Sequence, residues 1–88
     1  MKFNDVWVNR EERFSMGIEE TTGRFYVSFP VSNSWAEYTE YYVIDQASFD
    51  LFRKDSDAAL AFVMKCRRRE MDERLMMQPG TQRGWAAS

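Results

Sequence analysis

The chain has 88 residues, among them seven Phe, four Tyr and three Trp, which is enough for one small domain with a thin core. Its formal net charge is −2. The absence of His excludes Ser-His-Asp and Cys-His catalysis, and the single Cys excludes an internal disulfide and zinc sites of paired Cys. The longest wholly apolar run, Ala58 to Met64, is far too short for a transmembrane helix, and no glycine-rich phosphate loop occurs.

The N-terminal residues, MKFNDVWVNREER, lack the apolar core and the cleavage site of a signal peptide. The single Cys66 is also unusual for a secreted protein, where cysteines pair. We therefore predict a cytoplasmic protein that is not an enzyme, holds no cofactor and has no membrane partner.

Residues 14–29 predict a β-hairpin, because apolar residues alternate with small or polar ones in both arms. A four-residue loop, Glu20 to Gly23, sets Ile18 opposite Phe25; a three-residue loop would split the apolar side chains between the two faces. Gly23 suits the positive φ that such a loop needs at its end. The predicted core residues of the hairpin are Phe14, Met16, Ile18, Phe25, Val27 and Phe29.

The strands around the hairpin are predicted from shorter patterns. Pro30 has no N–H to donate to a ladder, so we expect the second arm to end at Phe29. A further strand is predicted over Glu37 to Ile44, although both of its faces carry aromatic or aliphatic residues, so its buried face stays open. Lys2 to Val8 is either a short strand or an extended arm.

Asp45 is the predicted N-cap of a short helix from Gln46 to about Arg53, which would bury Phe49 and Phe52 three residues apart. A long final helix is predicted from Asp57 to about Met77, before the stop signal of Pro79 and Gly80. Its apolar stripe, expected to pack on the hairpin, is Leu60, Val63, Met64, Met71 and Leu75.

These elements predict an α+β fold: a three-stranded antiparallel meander, with a candidate fourth short strand at the N-terminus, packed against a long C-terminal helix and one short helix. Residues 1–80 form the predicted domain, and residues 81–88 form a C-terminal tail. The charges are unevenly distributed. Residues 1–57 hold eleven acidic and six basic side chains, hence −5, whereas residues 58–88 hold three and six, hence +3.

Two clusters are candidate functional sites. Aromatic residues interleaved with carboxylates suit an interface with a basic partner, or else a half-buried strand that the carboxylates solubilise; these are Trp35, Glu37, Tyr38, Glu40, Tyr41 and Asp45. A basic cluster on the final helix suits phosphate binding, or else a solvated face that pairs with Glu70; it comprises Arg67, Arg68, Arg69 and Arg74. Arg67 falls within the apolar stripe, so we expect it to be shielded and paired with a carboxylate.

The string RFSMGIEETTGRFYVSFPVSN, followed by EYTEYYVID, ALAFVMKCRRRE and QPGTQRG, resembles small bacterial immunity proteins of contact-dependent growth inhibition and related polymorphic toxin systems. The resemblance covers nearly the whole chain and implies a non-enzymatic cytoplasmic inhibitor that binds one cognate toxin domain, often a nuclease. No fixed inhibitory motif comes with it, so it assigns no functional residue.

A protein toxin is therefore the leading partner, because a nuclease cleft is basic and an acidic aromatic surface complements it. Two alternatives stay open. One is a small nucleic-acid-associated or regulatory protein that uses the arginine cluster; the acidic composition disfavours its binding to nucleic acid. The other is an adaptor subunit of a larger complex.

Overall fold

The structure, a computed structural model, describes residues 1–32 and 37–77 and the backbone of residues 85–86. Four antiparallel strands form a meander in the order β1-β2-β3-β4, and two helices follow it. The strands are β1 (Phe3–Asn9), β2 (Phe14–Glu19), β3 (Arg24–Ser32) and β4 (Glu37–Ile44). The helices are α1 (Gln46–Lys54) and α2 (Ser56–Arg67), followed by a single 3₁₀ turn, Asp72–Arg74. The predicted α+β class is confirmed.

The predicted register of the β2–β3 hairpin is confirmed. Ile18 pairs with Phe25, and Met16 pairs with Val27. Gly23 adopts a φ of 75° at the end of the loop, as the four-residue connection requires. Of the predicted core residues on its apolar face, Phe14, Met16, Val27 and Phe29 are buried in the core, and Phe25 packs against it half-buried. Ile18 is half-buried and lies outside this cluster, so its assignment to the core is wrong.

The N-terminal segment is a full strand rather than an arm. β1 spans seven residues and pairs with β2 along its length, from Phe3 opposite Glu19 to Asn9 opposite Phe14. The register shifts between Asp5 and Trp7, which is the signature of a β-bulge at Val6. The meander thus has four strands, one more than the three that the sequence pattern predicted firmly.

The expectation that β3 ends at Phe29 is wrong. The strand continues to Ser32, and Pro30 pairs with Thr39 of β4. The other edge of β3 pairs with two different strands. It pairs with β2 as far as Ser28, and Val31 and Ser32 pair with the short strand β5 (Trp85–Ala86). Among the described residues, Pro30 therefore has a pairing partner on one side only, which is where a sheet tolerates proline.

Both helices pack on the apolar face of the sheet. The buried side chains of the sheet in this contact include Val27, Phe29, Tyr42 and Ile44. The two helices contribute Phe49, Phe52, Ala59, Val63 and Cys66. This resolves which face of β4 is buried in the core: it is the face of Tyr42 and Ile44. We call this side of the sheet the helix face. No helix among residues 1–32 and 37–77 is long and apolar enough to cross a membrane.

Helix α1 matches its prediction. The Asp45 carboxylate accepts a 2.8 Å hydrogen bond from the N–H of Ser48 and caps the helix, and Phe49 and Phe52 are both buried. That bond is the main reason why the pKa of Asp45 lies below its usual value.

Helix α2 is much shorter than predicted, and the expectation of a helix to about Met77 is wrong. Arg69 adopts a φ of 62°, its N–H donates to the carbonyl of Cys66, and the N–H of Glu70 donates to the carbonyl of Lys65. These two bonds form a Schellman motif, which usually has glycine in the left-handed position. Because arginine occupies it here, the sequence carried no stop signal at this point.

After α2 the chain returns to the sheet and lies along the outer edge of β4. Leu75 forms a bridge with Tyr42, and the N–H of Met76 donates to the carbonyl of Tyr41 at 2.9 Å. Leu75 and Met71 thus reach the core from this returning segment and not from a helical stripe. Of the predicted stripe, Val63 is buried, Leu60 is half-buried and Met64 is 40% exposed.

Candidate partner-binding face

The side of the sheet opposite the helices is the larger candidate site. Register places its residues in transverse rows, since side chains that pair across strands lie on the same face. One row runs Asp5–Gly17–Tyr26–Val43, and the next runs Val8–Ser15–Ser28–Tyr41. Glu37 and Thr39 lie on the same side, since they alternate with Tyr38 and Glu40 along β4. We call this surface the open face.

Three aromatic rings cover one half of the open face. The ring of Phe3 stacks on that of Tyr41 with centroids 3.6 Å apart and meets Tyr26 edge-on at 5.3 Å. The hydroxyl of Tyr26 donates to the carboxylate of Asp5. Burial of the Tyr26 ring, and then this hydrogen bond, raise the pKa of its hydroxyl well above the ordinary value. The cluster is therefore a rigid, apolar platform with a fixed carboxylate at its edge.

Gly17 makes this arrangement possible. A Cβ at position 17 would lie 2.1 Å from the carbonyl oxygen of Asn4 and 2.6 Å from the hydroxyl oxygen of Tyr26. The strand therefore needs glycine here for the close approach of a backbone and a side chain, not for its conformational freedom.

A groove of about 320 Å³ crosses the other half of the open face. Its floor contains Ser15 and Ser28, which are paired with each other; Ser28 is much smaller than Tyr26, its neighbour in the adjacent row. The register places Asp5 on one wall, one row from these serines. The residues beyond the serines on the other side form the opposite wall and come from the β1–β2 turn and the β3–β4 pair: Arg10, Arg13, Pro30 and Thr39. The groove thus combines apolar surface with charged side chains of opposite sign.

The β1–β2 turn that forms one wall is held by its own contacts. The Asn9 side-chain oxygen accepts a 3.0 Å bond from the N–H of Glu12, and Arg13 adopts a φ of 58°. The Arg13 guanidinium lies 3.9 Å from the Glu37 carboxylate, and both side chains are about half exposed. Such a long, solvated ion pair contributes little, so Arg13 is available to a ligand.

The six predicted partner-binding residues do not form one surface. Tyr41 and Glu37 lie on the open face, where Tyr41 is half-buried and Glu37 is exposed. Tyr38 lies on the helix face, and its hydroxyl donates to Glu40 at 3.2 Å. Asp45 caps α1, and Trp35 lies outside the described residues.

Glu40 is the clearest departure from the sequence-based hypothesis. It is only 6% exposed and accepts a 2.7 Å hydrogen bond from the hydroxyl of Tyr42 within the core. A carboxylate in that position serves the packing of β4 against α2 and is not available as a rim charge, so we leave it out of the proposed interface.

The arginine cluster is dispersed as well, because α2 ends at Arg67. Arg68 is exposed and forms an ion pair with Glu70, while Arg69 occupies the left-handed position of the helix end. Arg74 lies beside β4, where it donates to the carbonyl of Val43 at 3.5 Å. The expectation that these side chains share one helical face is therefore wrong.

Arg67 has a structural role instead. It is half-buried, its guanidinium lies over the ring of Phe29 at 5.5 Å, and it donates to the backbone carbonyl of Glu12. The predicted carboxylate partner is thus replaced by a carbonyl of the β1–β2 turn. Burial, the largest influence, lowers the pKa of this guanidinium. Arg67 is partly shielded, in line with the expectation, and more so than the exposed Arg68, but Arg69 is half-buried as well.

Residues 1–32 and 37–77 contain no group of three or more Cys, Asp and Glu side chains that could hold a metal ion. Cys66 is buried against the sheet, and its burial raises the pKa of the thiol to about 12. A thiol in this state is a small apolar core residue and a poor nucleophile.

Comparison of the chain with protein-family models, curated proteins and solved structures gave no match. The open face must therefore be interpreted from its own geometry.

Sequence reasoning missed the groove and Asp5. The signal for the groove was present, because the predicted hairpin register already sets Ser15 opposite Ser28. The position of Asp5 carried no such signal, since it depends on the pairing of β1 and on the bulge that follows.

Proposed function

We propose that this protein is an immunity-type inhibitor that binds a cognate bacterial toxin domain through the open face. The observation that carries the proposal is that Tyr41 and Glu37, two of the predicted contact residues, share this face with the groove. Both helices pack on the other side of the sheet. A protein partner therefore finds here a surface that the helices and strands of residues 1–32 and 37–77 leave accessible.

The composition of the face suits recognition of another protein. The stacked rings of Phe3 and Tyr41 provide rigid contact area, and the exposed side chain of Val8, 55% accessible, extends it. The excess negative charge of residues 1–57, which include the whole meander, favours the encounter with a basic toxin such as a nuclease. We regard inhibition as steric and non-catalytic.

We do not propose the nucleic-acid alternative, because no observation favours it. Arg67 is engaged by a backbone carbonyl, and Arg68 by Glu70. Binding of duplex backbone needs several cations along one surface, and the end of α2 separates these side chains. Nothing in the fold distinguishes an adaptor subunit from an inhibitor, so that alternative depends on the partner identified.

The test is to co-express the protein with the toxin domain encoded beside its gene, and to measure capture of that domain and its association and dissociation rates. Glu37→Gln should slow association and weaken its salt dependence. Val8→Glu should accelerate dissociation, because it places a charge in an apolar contact.

Leu51→Glu is the matched control for Val8→Glu. Leu51 is 50% exposed and lies on α1, which packs on the other side of the sheet. If the Leu51 variant loses affinity while the Val8 and Glu37 variants bind like the parent, the open face is not the interface. If the neighbouring toxin domain is not captured at all, the proposed function itself fails.

A further inference from the structure

The groove on the open face has charges of opposite sign on its two walls. Asp5 belongs to the row on one side of Ser15 and Ser28, whereas Arg10 and Arg13, in the turn between β1 and β2, lie on the other side. The floor between them contains Ser15, which is half-buried, and Ser28, which is only 4% exposed. A serine hydroxyl can donate and accept hydrogen bonds. A ligand that fills this groove must therefore satisfy two opposite charges and a polar floor.

The direction and length of the groove suit a short piece of extended chain. It follows a row of paired residues across the sheet, from Val8 through Ser15 and Ser28 to Tyr41. Three strand spacings of about 4.8 Å give a length of about 14 Å. About four extended residues span that length, at roughly 3.3–3.6 Å each.

An extended segment in such a groove points successive side chains to opposite walls. We propose, resting on the proposed function, that the groove binds an extended segment of the protein partner in which an acidic residue directly neighbours a basic one. The acidic side chain meets Arg10 and Arg13, and the basic side chain meets Asp5. The Ser15 hydroxyl binds the polar backbone of the segment.

The two walls are prepared for these contacts to different degrees. The Asp5 carboxylate is held in place by the hydroxyl of Tyr26, so a basic side chain finds a fixed acceptor. Arg13 has only the 3.9 Å ion pair with Glu37, which an incoming carboxylate can displace at little cost. The partner segment thus replaces a loose contact by a closer one.

The experiment is an NMR titration of the ¹⁵N-labelled protein with two capped tetrapeptides of identical composition. In acetyl-Ala-Asp-Lys-Ala-amide the charges are adjacent and reach opposite walls. In acetyl-Asp-Ala-Lys-Ala-amide they are two residues apart and reach the same wall. The first peptide should shift the amide signals of Ser15, Ser28 and Tyr41 and bind about threefold tighter or more, as two solvated charge pairs permit.

Variants test the location. Thr39→Tyr narrows the groove from an exposed position, and Arg13→Gln removes a wall charge; both should weaken binding of the first peptide about threefold or more. Thr21→Tyr, an equally exposed change in the hairpin loop, should leave it unchanged. Preserved amide spectra elsewhere show that each variant is folded.

Three results would each overturn the inference: equal binding of the two peptides, shifts confined to other surfaces, or no binding at ~10 mM peptide. That concentration is far above the dissociation constant of ~1 mM expected of a weak complex. The proposed function is judged separately, by capture of the toxin domain. If the toxin domain binds the parent and the Thr39→Tyr variant equally well, the groove inference alone is wrong. If the toxin domain is not captured, the inhibitor proposal is wrong.

Discussion

The carboxylate of Glu19 accepts a 2.8 Å hydrogen bond from the backbone N–H of Lys2, which ties the start of the chain to the closed end of the hairpin. The same carboxylate accepts bonds from the N–H groups of Thr21 and Thr22 and from the Thr22 hydroxyl. The side chain is fully buried, and these donors replace the water that it has lost. They also lower the pKa of Glu19 far below its ordinary value, with the Lys2 bond as the largest influence.

Glu19→Gln should therefore make the protein less sensitive to acid. Because the pKa of Glu19 is lowered in the folded state, its stabilisation is complete above the unfolded-chain value of 4.5 and is lost as the pH falls below it. In urea melts, the variant should be less stable than the parent at about pH 6. Between about pH 6 and about pH 3, the variant should lose less unfolding free energy than the parent. Glu20→Gln, an exposed neighbour, is the control and should behave like the parent.

Phe29→Ala should cost about 3–5 kcal/mol of unfolding free energy, because the ring is buried between Tyr42 and the guanidinium of Arg67. Phe25→Ala should cost less, since its ring is half-buried and contacts Phe49 at the margin of the core. Denaturant melts of the two variants give both values. Equal losses would mean that the core extends further toward the hairpin loop than the structure indicates.

Gly17→Ala should destabilise the fold by about 1–3 kcal/mol, because the new methyl group collides with the carbonyl oxygen of Asn4. Gly23→Asn is a suitable control, because no atom lies within 4 Å of a Cβ there and asparagine tolerates a positive φ. Thermal melts should separate the two. A neutral Gly17→Ala would show that β1 can move away from β2 at this point.

Arg67→Ala should cost about 1–3 kcal/mol, since it removes both the hydrogen bond to the Glu12 carbonyl and the contact with Phe29. Arg67→Met should cost less, because it keeps an apolar stem on the ring and removes the burial of a charge. Arg68→Met, at an exposed position, provides the baseline for both in urea denaturation. If Arg67→Met and Arg67→Ala lose similar amounts of unfolding free energy, the hydrogen bond to the Glu12 carbonyl contributes more than the packing of the side chain on Phe29.

No binding of a random DNA duplex should be detected at ~50 mM salt, because the arginines near the end of α2 do not form one cationic surface. Fluorescence anisotropy with a labelled duplex makes the measurement. If binding does occur, and Arg68→Ala combined with Arg69→Ala flattens its salt dependence, the nucleic-acid alternative replaces the inhibitor proposal.

The parts of the fold that were predictable are those specified by local pattern. Alternation and loop length were enough to set Ile18 opposite Phe25, because any other register divides the apolar residues between two faces. The cap at Asp45 and the helix that it begins were predictable for the same reason, since capping depends on neighbouring residues alone.

The features that sequence reasoning missed carried no recognisable local signal. The end of α2 was missed because Arg69 adopts a conformation usually left to glycine. The burial of Glu19 and Glu40 was missed because the sequence does not show that the N–H of Lys2 reaches Glu19, or that the helices pack on the face of β4 that carries Glu40. For the site, Tyr41 and Glu37 were predictable as exposed or half-exposed residues, whereas their separation from Tyr38 required knowledge of which face of β4 the helices cover.

The bulge at Val6 has a consequence for how this protein avoids unwanted assembly. Within the described residues, β1 has β2 on one side and no strand on the other, so its outer edge is a template on which another chain could add a strand. The shift between Asp5 and Trp7 divides that edge into two pieces of about three residues, each too short for the usual strand of about five or six. Stacking of copies through this edge is thereby discouraged, even though Val6 and Val8 are exposed.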